Sequence, residues 1–156
     1  MDRKYKVGGY VKLAKLWERS KDAAVAYYSS YYAEKFRDDA DKRLVGVYID
    51  ITGNKEIYKR PEMVHLLKDC KNGNVNLIFS QTRAYLAANT CGFCFLLKYL
   101  FDLPMRVDIV TDDDDQRIDT ILDVENQRQN LKELAENIHQ SEGKIILSGE
   151  FDWKMK

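Results

Sequence analysis

Two prolines, two histidines and three cysteines are all this 156-residue chain has of the residues that punctuate, ligate or staple a fold. With so little proline and no Ser/Gly-rich run, a disordered linker is not expected, and no internal repeat is visible. An odd number of cysteines does not make a disulfide framework and fits a reducing, cytoplasmic setting. The one conceivable zinc set is Cys70, Cys91, Cys94 and His65, with Cys70 at the end of a different predicted helix, so neither metal nor cofactor is expected. There is no excess of charge of either sign, since 25 Lys+Arg balance 25 Asp+Glu. A free-standing DNA-binding domain is usually basic, so composition gives no support for a nucleic-acid or membrane partner. No stretch reaches the roughly 18 uninterrupted apolar residues of a membrane span. The opening MDRKYKVGGY lacks the apolar region of a signal peptide, and no glycine-rich phosphate loop of standard spacing is present.

What is there is a chain that is 45% hydrophobic and 12% aromatic, long enough for one domain with a proper core. Its organising stretch is Leu44 to Arg83. Leu44 to Ile49, rich in Val, Ile and Tyr, predicts a strand ending at Asp50 and the turn Thr52-Gly53-Asn54. Arg60-Pro61 predicts a helix start, because proline in the first turn lacks a donor that would be orphaned anyway. Met63, Val64, Leu66 and Leu67 give that helix an apolar face, and Lys71-Asn72-Gly73 is its stop signal. Val75 to Phe79 is a second strand, left through the loop Ser80 to Arg83. This βαβ unit places Asp50 and Arg83 at the same edge, where ligands collect in open α/β sheets.

Around it, Val7 to Leu13 predicts a first strand, and Ala14 to Ser20 a loop whose Trp17 covers the core. Lys21 to Ala40 has helical spacing through Val25, Tyr28, Tyr31 or Tyr32, and Phe36. Adjacent helical residues point about 100° apart, so Tyr27-Tyr28 and Tyr31-Tyr32 should each have one buried ring and one exposed ring. Ala84 to Tyr99 predicts one continuous apolar helix with Ala87, Ala88, Cys91, Phe95, Leu96 and Tyr99 on its buried stripe. Asp102-Leu103-Pro104 ends it, Met105 to Val110 is a further strand, and Asp112 to Asp115 reads as a solvated acidic loop. A long helix is expected from Arg117 to about His139, with Ile118, Ile121, Leu122, Leu131, Leu134 and Ile138 on one side. Gly143 stops it, and Ile145 to Leu147 is a candidate edge strand. The predicted class is α/β: a three-layer sandwich with a mostly parallel four- or five-stranded sheet, plus a long C-terminal helix. Residues 1–115 would form the domain, 116–142 the helix and dimerisation element, and 143–156 a short tail.

The order GYVKLAK, VYIDITG, KRPEMVHLLKDCKNGNV, LIFSQTR and MRVDIV resembles the catalytic domain of the serine site-specific recombinases (resolvases, invertases and large serine integrases) over roughly residues 7–140. The resemblance implies a resolvase-like fold, DNA strand exchange in mobile elements, and a long helix that mediates dimers. Site residues implied by the resemblance fall on Lys12, Ala14, Asp50, Arg60, Arg83 and Leu86, with Lys12, Arg60 and Arg83 as candidates for phosphate or DNA contact. Of these, Ala14 stands where the family has its nucleophilic serine and carries no hydroxyl. Lys12 replaces an arginine and loses its bidentate fork, and Leu86 replaces a second one. Thr82 precedes Arg83 where an acid or hydroxyl is expected, and the family's glutamine in the first helix has no counterpart. Ser20, Ser29, Ser30 and Ser80 are hydroxyls at other positions. Asp50 and Arg60 match the pattern, and either also suits a structural role, Asp50 in an Asx turn and Arg60 paired with Asp50 or Glu62.

The expectation is therefore a catalytically inactive, cytoplasmic recombinase-like module that binds or regulates. Its partner would be a second copy or an active recombinase, held through Ile121, Leu131, Leu134 and Ile138. DNA contact would be weak, because about 17 residues after His139 are too few for a separate DNA-binding domain. Two alternatives stay open: an active recombinase with displaced chemistry, and a thiol oxidoreductase using Cys91-Gly92-Phe93-Cys94. A redox C-x-x-C belongs at a helix start directly after a strand. Placed inside a continuous apolar helix, Cys91 and Cys94 would instead be buried, inert core residues. His139 reads as a solvated cation near a helix end.

Overall fold

A computed structural model describes residues 4–113 and Asp119. Four parallel strands, β1 (Tyr5–Leu13), β2 (Lys42–Ile51), β3 (Leu77–Ser80) and β4 (Asp108–Thr111), form a sheet in the order β2-β1-β3-β4. A 3-10 helix (Lys15–Ser20) and α1 (Lys21–Phe36) join β1 to β2, and α2 (Pro61–Lys71) joins β2 to β3. The chain then passes through the single turn α3 (Arg83–Leu86) and through α4 (Thr90–Phe101) to β4. One antiparallel bridge, Val110 to Asp119, is the only further pairing among the described residues. The predicted helix over 117–139, its residues Ile121, Leu131, Leu134 and Ile138, and the predicted edge strand at 145–147 lie outside the described residues.

Two cores flank the sheet, as strand alternation requires. On one face Val7, Val11, Leu13, Leu77 and Phe79 pack against Ala24, Tyr32 and Phe36 of α1. On the other, Tyr10, Tyr48, Ile78 and Ile109 pack against Met63, Leu66 and Leu67 of α2 and against Phe93 to Leu97 of α4. The two glycines of β1 mark the closest approaches. A Cβ on Gly8 would meet the Leu66 side chain at 2.6 Å, and one on Gly9 would run into the Tyr32 ring. Gly73, at φ +81°, supplies the left-handed residue after α2 that the Lys71-Asn72-Gly73 signal predicts.

Three expectations are corrected. Trp17 is not part of the core: the 3-10 helix buries no residue, and Trp17 and Leu16 are both exposed. Helix α1 stops at Phe36, not Ala40, and its buried positions are Ala24, Tyr32 and Phe36, with Val25 and Tyr31 outside. The tyrosine pairs behave as helix geometry demands, with Tyr32 buried beside exposed Tyr31, and Tyr28 half-buried beside exposed Tyr27. The apolar run from Ala84 is not one helix. It breaks over residues 87–89, where the backbone of Ala87 and Asn89 is extended, and Asn89 caps a new helix by accepting from the Gly92 N–H at 2.8 Å. Hydrophobic spacing continues across the break because both pieces face the same core, so periodicity alone does not show it.

Because the ring of Tyr32 lies where a Gly9 side chain would be, Gly9→Ala should overpack this contact. It is expected to cost about 1–3 kcal/mol of unfolding free energy in urea titration with the fold retained.

Candidate functional site

The site expected from sequence lies at the carboxyl edge of the sheet. The strand order makes the junction between β1 and β3 the point where connections diverge, and an open α/β sheet has its crevice there. Ladder pairing between these strands stops at Gly9–Phe79. Beyond it the Tyr10 carbonyl accepts instead from Ser80 Oγ at 2.8 Å and Tyr32 Oη at 3.0 Å, and Tyr32 Oη in turn accepts from the Gln81 N–H. Side-chain hydrogen bonds from β3 and α1 thus take over where the backbone ladder ends. Ser80 is fully buried and its hydroxyl is spent on this contact.

Asp50, one residue from the end of β2, is 4% exposed and accepts three hydrogen bonds. Its Oδ1 takes the Glu62 N–H at 2.9 Å, and its Oδ2 takes the Met63 N–H at 2.9 Å and the Tyr10 hydroxyl at 2.8 Å. It therefore caps α2, whose own preceding residue, Arg60, makes no side-chain cap. Burial and the neighbouring carboxylate hold the Tyr10 phenol well above its usual range, against the opposing pull of Arg60.

Arg60 is 1% exposed, the largest of the fully buried side chains. Its guanidinium donates to the carbonyls of Asn54 (3.1 Å), Tyr85 (2.9 Å), Lys55 (3.4 Å) and Leu86 (3.5 Å), tying the turn after β2 to α3. The expected pairing with Asp50 or Glu62 is not made; four backbone carbonyls take its place. Lys12, half-buried near the end of β1, is pulled below its usual pKa by burial and then by repulsion from Arg60. The structure thus brings Lys12, Asp50 and Arg60 together with Tyr10, which sequence reasoning did not single out. A tyrosine in a strand carries no signal of its role until the helix start it faces is known.

Ala14 follows β1 as an exposed residue at the mouth of this edge, its carbonyl accepting from Trp17 N–H. Leu86 is fully buried in the core under α2 and α4. Arg83 is partly exposed, and its guanidinium lies 4.6 Å from the centre of the Phe93 ring, a cation–π contact. Its backbone N–H donates to Asp113 at 2.6 Å, and Asp112 pairs with Lys35 at 3.1 Å. The start of the acidic run is therefore a tie between β4, the Arg83 turn and α1, where sequence suggested only a solvated loop. No group of three or more His, Cys, Asp or Glu that could hold a metal occurs among the described residues, and no described helix is long and apolar enough to cross a membrane.

Solved structures with this arrangement include the N-terminal catalytic domain of TP901-1 integrase, at TM-score 0.60 and 17% identity over 90% of this chain and 98% of that one. A resolvase family site-specific recombinase from Streptococcus pneumoniae matches at TM-score 0.54 and 18% identity, over 94% of this chain and all of the other. The fold is resolvase-like. At these identities the likeness concerns the fold alone. No family model matches the sequence, and neither does any curated protein. On this resolvase-like frame, Ala14, Lys12, Asp50, Arg60 and Arg83 all stand at or beside the carboxyl edge, while the side chain of Leu86 belongs to the core.

If Asp50 and Arg60 hold the fold, then Asp50→Ala and Arg60→Met should each cost about 2–4 kcal/mol, through the lost cap and the orphaned buried carbonyls. Arg83→Ala, losing one partly exposed cation–π contact, should cost about 1 kcal/mol or less. Equilibrium unfolding of the three variants separates the roles.

Proposed function

We propose that this resolvase-like domain serves DNA recombination in mobile elements as a binding or regulatory module and does not itself cleave DNA. The observation that carries this reading is Ala14, an exposed methyl group at the end of β1, where the resemblance places the attacking hydroxyl. A methyl cannot attack phosphorus. The nearest replacement considered from sequence, Ser80, is buried and donates to the Tyr10 carbonyl. Stabilising a pentacovalent phosphate takes several preorganised cations, and here Arg60 is occupied by carbonyls and Leu86 has no charge. Lys12 and Arg83 remain for weak contact with a phosphate backbone.

The partner in this reading is a second copy of the chain or an active recombinase. Both faces of the sheet already have cores built from residues 7–109, and in this reading the apolar residues Ile121, Leu131, Leu134 and Ile138 mediate the association. Burying one leucine contributes roughly 2 kcal/mol, and a symmetric set of three per subunit is enough for a micromolar dimer.

Two experiments test the reading. Ala14→Ser should restore no cleavage of recombination-site DNA, and cleavage by that variant would show that Lys12, Arg60 and Arg83 suffice to hold the phosphate; cleavage by the native chain would refute the module reading. Leu131→Asp combined with Leu134→Asp should convert a dimer into a folded monomer by light scattering. A native chain that is monomeric at high micromolar concentration and does not co-assemble with an active recombinase would remove the partner.

A further inference from the structure

The proposed function leaves Cys91-Gly92-Phe93-Cys94 unused, and the structure moves this motif from a helix interior to a helix start. Helix α4 begins at Thr90 behind the Asn89 cap, so Cys91 lies in the first turn and Cys94 one turn further in. All three cysteines of the chain are reduced, and they are not equivalent. Cys91 is partly exposed, Cys94 is fully buried, and Cys70 is buried at the far end of α2.

We propose that Cys91 and Cys94 form a reversible dithiol–disulfide pair, with Cys91 the attacking thiol, Cys94 the resolving thiol, and a low-molecular-weight disulfide of the glutathione class as oxidant. Three features carry this. Residues three apart on an α-helix have Cα atoms about 5 Å apart, within the Cα range of a disulfide, so closing the bond needs the two Cβ atoms of the first turn to draw together from their usual helical spacing. The unequal burial divides the roles: an external disulfide can reach Cys91, whereas Cys94 can be reached only from its neighbour. The position also suits the attacking role, since Cys91 lies in the first turn of α4, where an anion developing on sulfur is stabilised. Burial, and then the proximity of Cys91, raise the Cys94 thiol above its ordinary pKa, with Arg83 opposing. That keeps Cys94 protonated until the first step has occurred.

In that step the Cys91 thiolate attacks one sulfur of the oxidant, forms a mixed disulfide and expels one small thiolate. Cys94 then loses its proton, attacks the Cys91 sulfur and expels the second. Two protein thiols become one disulfide, the oxidant is reduced to two thiols, and the two protein protons pass to the departing thiolates. Closing the bond staples the first turn of α4, which carries Phe93 and, on its ring, the guanidinium of Arg83. The state of the pair is thereby transmitted to one of the two cations left at the carboxyl edge. This inference is independent of whether the domain cleaves DNA.

The test uses the full chain, reduced and then incubated with glutathione disulfide under native conditions, with peptide mass mapping. The native chain should close a Cys91–Cys94 disulfide with no lasting glutathione adduct. Cys94→Ala should stop at a stable glutathione adduct on Cys91, and Cys91→Ala should leave Cys94 unmodified. Adduct formation at Cys91 should exceed that at Cys70 by at least about tenfold. An adduct on Cys91 that persists in the native chain, a disulfide involving Cys70, or modification of Cys91 no faster than Cys70 would each overturn the proposal.

Discussion

One carboxylate organises this domain. Asp50, at the end of the edge strand β2, satisfies the first two amides of α2 and the phenol of Tyr10 from the central strand β1. A helix that begins Arg-Pro has no side-chain cap of its own, and its orphan donors point into the sheet edge. With Asp50 in place, α2 sits over β1 and β2 and buries Met63, Leu66 and Leu67. Arg60, the residue before that helix, is aimed inward by the same geometry and ties the following loops together through their carbonyls. Charged residues at a sheet edge usually suggest chemistry. Here Asp50 and Arg60 have internal partners, and the cost of burying them is offset within the fold.

The strands and α2 were legible in the sequence because their signals are local and redundant. Val, Ile and Tyr runs, a proline at a helix start and a glycine at its end all point the same way. Asp50 and Arg83 were placed at one edge by the βαβ topology alone. The partners they chose were not legible. That Arg60 would bond four carbonyls and not an acid depends on where the loop after β3 returns, a long-range fact with no local pattern. The break before Thr90 was hidden by apolar residues on both sides, and the signal that could have found it was Ala88-Asn89-Thr90, a cap residue inside an apolar run. Trp17 was misjudged because it sits on a 3-10 helix that buries none of its residues.

The resolvase-like frame and its chemistry are separable in this chain. The four-stranded order, the cap and the buried guanidinium are architecture, and they remain. In the proposed reading, the positions where the resemblance puts a nucleophile and a second arginine hold an exposed Ala14 and a buried Leu86. Lys12 stays half-buried near the end of β1, at the carboxyl edge of the sheet. In the proposed reading that edge serves binding, and the Cys91–Cys94 pair lies in the same helix as Phe93, whose ring carries the Arg83 guanidinium.

The central claim is that the carboxyl edge no longer breaks phosphodiester bonds. It is tested most directly by incubating the native chain with nicked recombination-site DNA that traps covalent intermediates, followed by denaturing electrophoresis and mass mapping. The account predicts no protein–DNA adduct at any residue. An adduct on any serine of this chain, Ser20, Ser29, Ser30 or Ser80 included, would contradict it.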